Sequence, residues 1–144
     1  MSTLGIITVA GIVVLAALLW FFFRTRSHDL LTGIMDKRRA SSKIVSAADY
    51  VEGMERIPVA MALTSDVFYY ENPDLQASFE LARIDEIEYD TELAVGRSVE
   101  DGYRALRLRS HGATFEFILQ GAEAKKWEAA LPARRIGSPA ARVV

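Results

Sequence analysis

The sequence predicts an α+β chain: one membrane-spanning helix, a short helical neck, and a partly open antiparallel β-sheet or barrel capped by a C-terminal helix. Three observations carry that prediction. Leu4 to Phe23 holds no charged side chain and only Thr8 among polar ones. From Pro58 onward, short apolar and alternating runs are separated by turn signals. Near the end, an alanine-rich stretch with Trp127 at its centre lies between Gly121 and Pro132. A chain of 144 residues has room for the anchor and one small domain.

The first element is a span over residues 1–26. Coiled as a helix, Leu4 to Phe23 would reach ~30 Å, the thickness of a bilayer's hydrocarbon core. A signal peptide would carry a basic leader and a small-residue cleavage site. Here the leader is uncharged and the run ends on Trp20, Phe21, Phe22 and Phe23. Those four rings are expected at the inner membrane interface, followed by Arg24 and Arg26. With Lys37, Arg38, Arg39 and Lys43 also on that side, the positive-inside rule sends the N-terminus out and the rest of the chain into the cytoplasm. Gly5, Ala10, Gly11 and Ala16 supply small residues for packing against a larger membrane partner.

Residues 27–57 read as a neck of two short helices joined at Ala40 to Ser42. Leu30, Leu31, Ile34 and Met35 recur at helical spacing, although Gly33 weakens the first helix. Ile44, Val45, Ala48, Val51 and Met54 recur similarly, with Ser46 as the expected cap of the second. The cations Lys37, Arg38, Arg39 and Lys43 fit two readings. Either they rest on anionic lipid, each worth ~1 kcal/mol, or they are a topogenic signal alone.

Residues 58–131 form the β domain. "VAMALT" and "VFYYE" read as strands around the Ser65-Asp66 turn, and Asn72 to Asp74 marks another turn. In "SFELARIDEIEYD" the alternation changes phase, which predicts a bend near Arg83 that turns Ile84, Ile87 and Tyr89 inward. Thr91 to Gly102 reads as a long connection. A two-residue turn at His111-Gly112 sets Arg107 opposite Glu116, Leu108 opposite Phe115 and Leu106 opposite Phe117. Arg107 and Arg109 then belong to the outer face of a sheet. The expected core is Phe68, Phe79, Leu81, Ile84, Leu106, Leu108, Phe115, Phe117 and Trp127. Residues 132–144 form a basic tail.

The pieces "ALTSDVFYY", "FELARIDEIEY", "LRLRSHGATFEFIL" and "AKKWEAAL", in that order, resemble the pleckstrin-homology-like domains of bacteria. The resemblance implies a partly open sheet closed at one end by the helix, and a bacterial inner-membrane protein. Many members of that family bind phosphoinositides through cations around the first hairpin; this chain has Asp66 there and no cation. Between Pro58 and Leu131, seven cations face fourteen carboxylates, a net charge of −7 that repels anionic lipid and nucleic acid.

The residue supply for chemistry is thin. There is no cysteine, and His28 and His111 are the only histidines. No phosphate-binding glycine loop and no metal-ligand spacing occurs, so no cofactor, metal, small-molecule substrate or catalytic residue is expected. The expected role is a non-catalytic scaffold or accessory subunit of a larger inner-membrane complex, respiratory or photosynthetic in kind. Its candidate partner-binding residues are Asp85, Glu86, Glu88, Asp90, Arg107 and Arg109. The alternative is a lipid sensor acting through the basic neck.

Overall fold

The computed structural model describes residues 3–135, and residues 136–144 of the expected tail lie outside that range. It is an α+β structure: a long N-terminal apolar helix, an eight-stranded antiparallel sheet curled into a half-barrel, and a C-terminal helix. Helix α1 runs over Thr3–Arg39, strand β1 over Ile44–Glu52, β2 over Glu55–Leu63, β3 over Val67–Asn72 and β4 over Leu75–Glu80. After a single 3-10 turn at Leu81–Arg83 come β5 (Glu86–Asp90), β6 (Tyr103–Ser110), β7 (Ala113–Gln120), α2 (Gly121–Ala130) and the two-residue β8 (Arg134–Arg135). The strand order is β4-β3-β2-β1-β7-β6-β5-β8.

Helix α1 is unbroken for 37 residues, about 55 Å at ~1.5 Å per residue. Its apolar portion is long and hydrophobic enough to cross a membrane, with none of that stretch buried against the rest of the chain. The first neck helix is therefore its continuation, and it passes straight through Gly33. A mid-helix glycine costs about 1 kcal/mol, which the packing of Leu31, Ile34 and Met35 on the sheet offsets.

The second neck helix is absent: Ile44 to Glu52 is β1, paired along its whole length with β2. The domain thus begins at Ile44 and not at Pro58. Apolar residues lie on both faces of β1, because Ile44 and Ala48 pack into the concave core while Val51 packs into a second cluster on the convex face. With apolar residues on both faces, the two-residue period disappears and a helical spacing is left by coincidence. Ser46 caps nothing. It is buried in the strand, and its Oγ accepts a hydrogen bond from Trp127 Nε1 at 2.6 Å.

The β6–β7 hairpin has the register read from its residues: Leu106 with Phe117, Arg107 with Glu116, Leu108 with Phe115. Its turn places His111 at φ 51° and Gly112 at φ 77°, the left-handed pair that a two-residue hairpin loop requires. The bend falls at the 3-10 turn, where Arg134 donates to the carbonyls of Leu81 and Ile84.

The concave core is built from Phe68, Ile84, Leu106, Leu108, Phe117 and Trp127, all fully buried, with Met61, Leu63, Ile87 and Leu119 among them. Phe79, Leu81 and Phe115 are half-buried at its margin. Rings pack edge to face here: Phe68 with Trp127 at 5.6 Å and Phe79 with Phe115 at 4.6 Å. Burial pushes the Tyr70 hydroxyl up to about 12, with Tyr50 adding to the effect.

Candidate functional site

Three places concentrate polar chemistry among the described residues. The first is the seam where α1 meets the sheet. Leu31, Ile34, Met35 and Arg38 recur at helical spacing and are the covered or half-covered side of the helix. Opposite them β2 presents Ala60 and Ala62, buried on its convex face, small enough for a helix to approach closely. Arg38 closes the seam. Its Nε and Nη2 reach both carboxylate oxygens of Glu71, and its guanidinium lies 3.9 Å from the centre of the Tyr69 ring. A forked, stacked contact of this kind suits arginine and not lysine.

Arg38, expected at the membrane interface, is therefore committed to the sheet. Lys37, Arg39 and Lys43 remain exposed, Arg39 beside Asp36 at 3.4 Å. Trp20, Phe21, Phe22 and Phe23 are all exposed on α1, with Arg24 5.3 Å above the Trp20 ring and Arg26 free of the sheet. Glu71 was missing from the sequence reading. The signal for it was the apolar run "VAMAL", which has to be covered on both faces and so announces a helix lying on the outside of β2.

Arg38→Ala would leave the Glu71 carboxylate, only 9% exposed, without its cation. The expected cost is roughly 2 kcal/mol, discounted because Arg38 itself is partly solvated. Hydrogen exchange should quicken over residues 31–39 while the apolar part of α1 stays unchanged; unchanged exchange over residues 31–39 would rule out the seam as a latch.

The second place is a knot of charge on the convex face, around Arg107. Its guanidinium meets Glu88 at 3.0 Å, Glu116 at 3.2 Å, Asp90 at 3.5 Å and donates to the Glu92 carbonyl at 2.8 Å. Burial alone would lower its pKa, but the hydrogen bond it donates to Glu88 and the charge of Glu116 outweigh that and leave it raised. Glu116 in turn accepts from the Ala94 backbone N–H at 2.9 Å. Residues 91–102 are thus a strap pinned to the sheet, with Leu93 and Val99 packed over Ala105 and Ile118. Of the candidate partner-binding residues, Glu88, Asp90 and Arg107 meet in this knot, Glu86 faces Arg109 at 3.5 Å, and Asp85 stands exposed with no ion pair among the described residues.

Asp90 is held below the usual carboxylate range, first by the backbone N–H of Thr91 and then by that of Glu92, with Arg107 adding to both. A depressed carboxylate stabilises the fold above its ordinary pKa of 3.8, and that stability is lost as pH falls through the lower folded value. The advantage of the native protein over Asp90→Asn in denaturant unfolding should hold at pH 6 and shrink progressively as pH falls below 3.8. A gap independent of pH would exclude the charge as its source.

The third place is an open groove of about 1310 Å³ between α1 and the convex face of the sheet. Arg24, His28 and Met35 line its helix side, Val45 and Ile118 its floor, and Lys126 its far wall. A smaller slot of about 390 Å³ lies between β4 and the β6–β7 turn, bounded by Phe79, Phe115, Arg83 and His111. No family model, curated protein or solved structure matches the chain. The two histidines lie in separate grooves, His28 in the large one and His111 in the small one, so they form no joint site. Among the described residues no three His, Asp or Glu side chains are arranged to hold a metal ion.

Proposed function

We propose that this chain is a non-catalytic, membrane-anchored scaffold or accessory subunit whose β domain braces protein partners in a larger membrane complex. The observation that carries the reading is the seam at Leu31, Ile34, Met35 and Arg38. An apolar helix able to span a bilayer continues without a break into a face docked on the sheet, so the domain is held rigidly at the membrane rather than tethered to it. Rigid presentation at a fixed height is what a bracing subunit needs and what a diffusing enzyme does not. The cations that follow the span favour a cytoplasmic domain at a bacterial inner membrane with the N-terminus outside. The meander order closed at one end by α2 favours a pleckstrin-homology-like architecture.

Native membranes washed with alkaline carbonate should retain the protein, and protease added to spheroplasts should leave the domain intact. Mild detergent should then release it with partners in fixed stoichiometry. Recovery as a free monomer under those conditions would end the reading.

A second reading is favoured by Lys37 and Lys43, which are exposed and make no ion pair among the described residues. In it the neck senses anionic headgroups. Nanodiscs with and without anionic lipid separate the two: salt-sensitive protection of residues 37–43 only with anionic lipid supports the sensor.

A further inference from the structure

The two ends of the sheet are finished differently. At one end β5 is partly covered by β8, and its outer side chains Glu86 and Glu88 are charged and paired with Arg109, Arg107 and Arg135. At the other end lies β4, "LQASFE", with no proline, no lysine and a register against β3 that runs from Val67–Glu80 to Asn72–Leu75 without a bulge. Edge strands are ordinarily guarded by such devices, because a bare edge templates another strand.

The register also tells which backbone groups are bare. Leu81 N–H donates to the Asp66 carbonyl at 2.9 Å, and hydrogen-bonded pairs alternate along an antiparallel ladder. Counting back, Phe79, Ala77 and Leu75 bond β3, while the N–H and C=O groups of Gln76, Ser78 and Glu80 point away from it. Among the described residues no backbone hydrogen bond reaches those three from the outer side. The 390 Å³ slot opens directly beside Ser78, Phe79 and Glu80, with Phe79 and Phe115 as its apolar walls.

We propose that β4 is a docking edge for an extended segment of a partner protein, which adds to the sheet as a further strand. Only another extended polypeptide repeats donors and acceptors at the spacing of Gln76, Ser78 and Glu80, so backbone chemistry selects the class. Leu75, Ala77 and Phe79 alternate on the concave side, and the slot beside them receives an apolar side chain of the incoming strand. The register selects further. Apolar side chains must face Leu75, Ala77 and Phe79 at every second position; Glu71 is paired with Arg38 and Glu80 with Arg83, which leaves Asp74 as the β3–β4 hairpin's one carboxylate without an ion pair among the described residues, so the segment is apolar-alternating and neutral to weakly basic. This inference deepens the scaffold reading and rests on it for its biological meaning.

The test uses the full chain in detergent micelles and a synthetic octapeptide alternating valine with threonine and lysine. Hydrogen exchange is followed residue by residue. The expected result is rapid exchange at the amides of Gln76, Ser78 and Glu80 in the free protein and at least tenfold slowing there when the peptide is added. Ser78→Pro removes an outward N–H that β3 does not use, and it should weaken peptide binding at least tenfold. Ser78→Lys keeps the backbone, guards the edge with charge and should also weaken binding. Protection of those amides before any peptide is added, whether by residues 136–144 or by a second copy, overturns the proposal. So does peptide binding that leaves the three amides unprotected, or no binding. Failure of the scaffold reading is seen separately, as a free monomer after mild detergent release; partners retained equally by Ser78→Pro would overturn the edge alone.

Discussion

Trp127→Ala is expected to lower the unfolding free energy of the domain by about 3–5 kcal/mol, the usual cost of emptying a fully buried large aromatic site. Trp127 sits at the point where α2 closes the half-barrel. Its ring meets Phe68, its Nε1 donates to Ser46 across 81 residues of chain, and its carbonyl accepts from the Leu131 N–H that ends the helix. Alanine would leave a cavity and also leave the Ser46 hydroxyl buried without its donor, and those two costs add. Against a total stability of roughly 5–15 kcal/mol, that is a large share. Trp127→Phe shifts the balance between the two terms, keeping most of the volume while losing the hydrogen bond, and should cost clearly less than alanine, about 1–2 kcal/mol. Denaturant midpoints of the full chain in micelles measure both. A change of a few tenths of a kcal/mol for alanine would mean that α2 does not close the core.

Arg107→Met should be the next most damaging change, at about 2–4 kcal/mol. Three carboxylates, Glu88, Asp90 and Glu116, converge on that one guanidinium, whose side chain is 13% exposed. Removing the cation leaves Glu116 nearly buried and unpaired among like charges, a cost of the kind that buried pairs reveal when broken. The figure falls below the fully buried limit because Glu88 and Asp90 keep about a third of their surface in water. The sign of the pH dependence follows. In the variant, Asp90 loses one of the influences that hold it below the ordinary carboxylate range, so the deficit shrinks as pH falls through that range. Glu116→Gln added to Arg107→Met should recover part of the loss at neutral pH. A deficit that is the same at pH 4.5 and pH 8 would show that packing, and not charge, is the cause. The strap at residues 91–102 should loosen in the same variant, since its Glu92 carbonyl and Ala94 N–H both end on this knot.

Much of the fold is legible because short-range patterns encode it. The apolar run to Phe23, the His111-Gly112 turn with its register, the phase change at Arg83 and the alanine-rich helix around Trp127 are each local signals. Six of the nine expected core residues are fully buried, and the other three lie at the margin, where Phe79, Leu81 and Phe115 face the open side of the half-barrel. The failure at Ile44 to Glu52 has a local cause too. A strand with apolar residues on both faces loses its alternation, and its β-branched residues Ile44, Val45 and Val51 are the remaining clue. The candidate site was less legible. Arg107 and Arg109 lie on the face that the register predicts, and Arg107 is tied to the strap and the acidic strand, contacts that only the fold brings together.

By itself, the amino-acid sequence determined the long apolar helix, the antiparallel character of the domain and the pairing of β6 with β7, because each depends on residues within one helix or hairpin of one another. Tertiary structure alone decided that Arg38 pairs with Glu71, that Ser46 meets Trp127, that the 91–102 segment is strapped down, and that β4 is the bare edge. Those outcomes join residues separated by 33 or 81 positions, or follow from strand order. No local periodicity records such distances: which cation finds which carboxylate is settled by how the sheet curls and where the long helix lands on it.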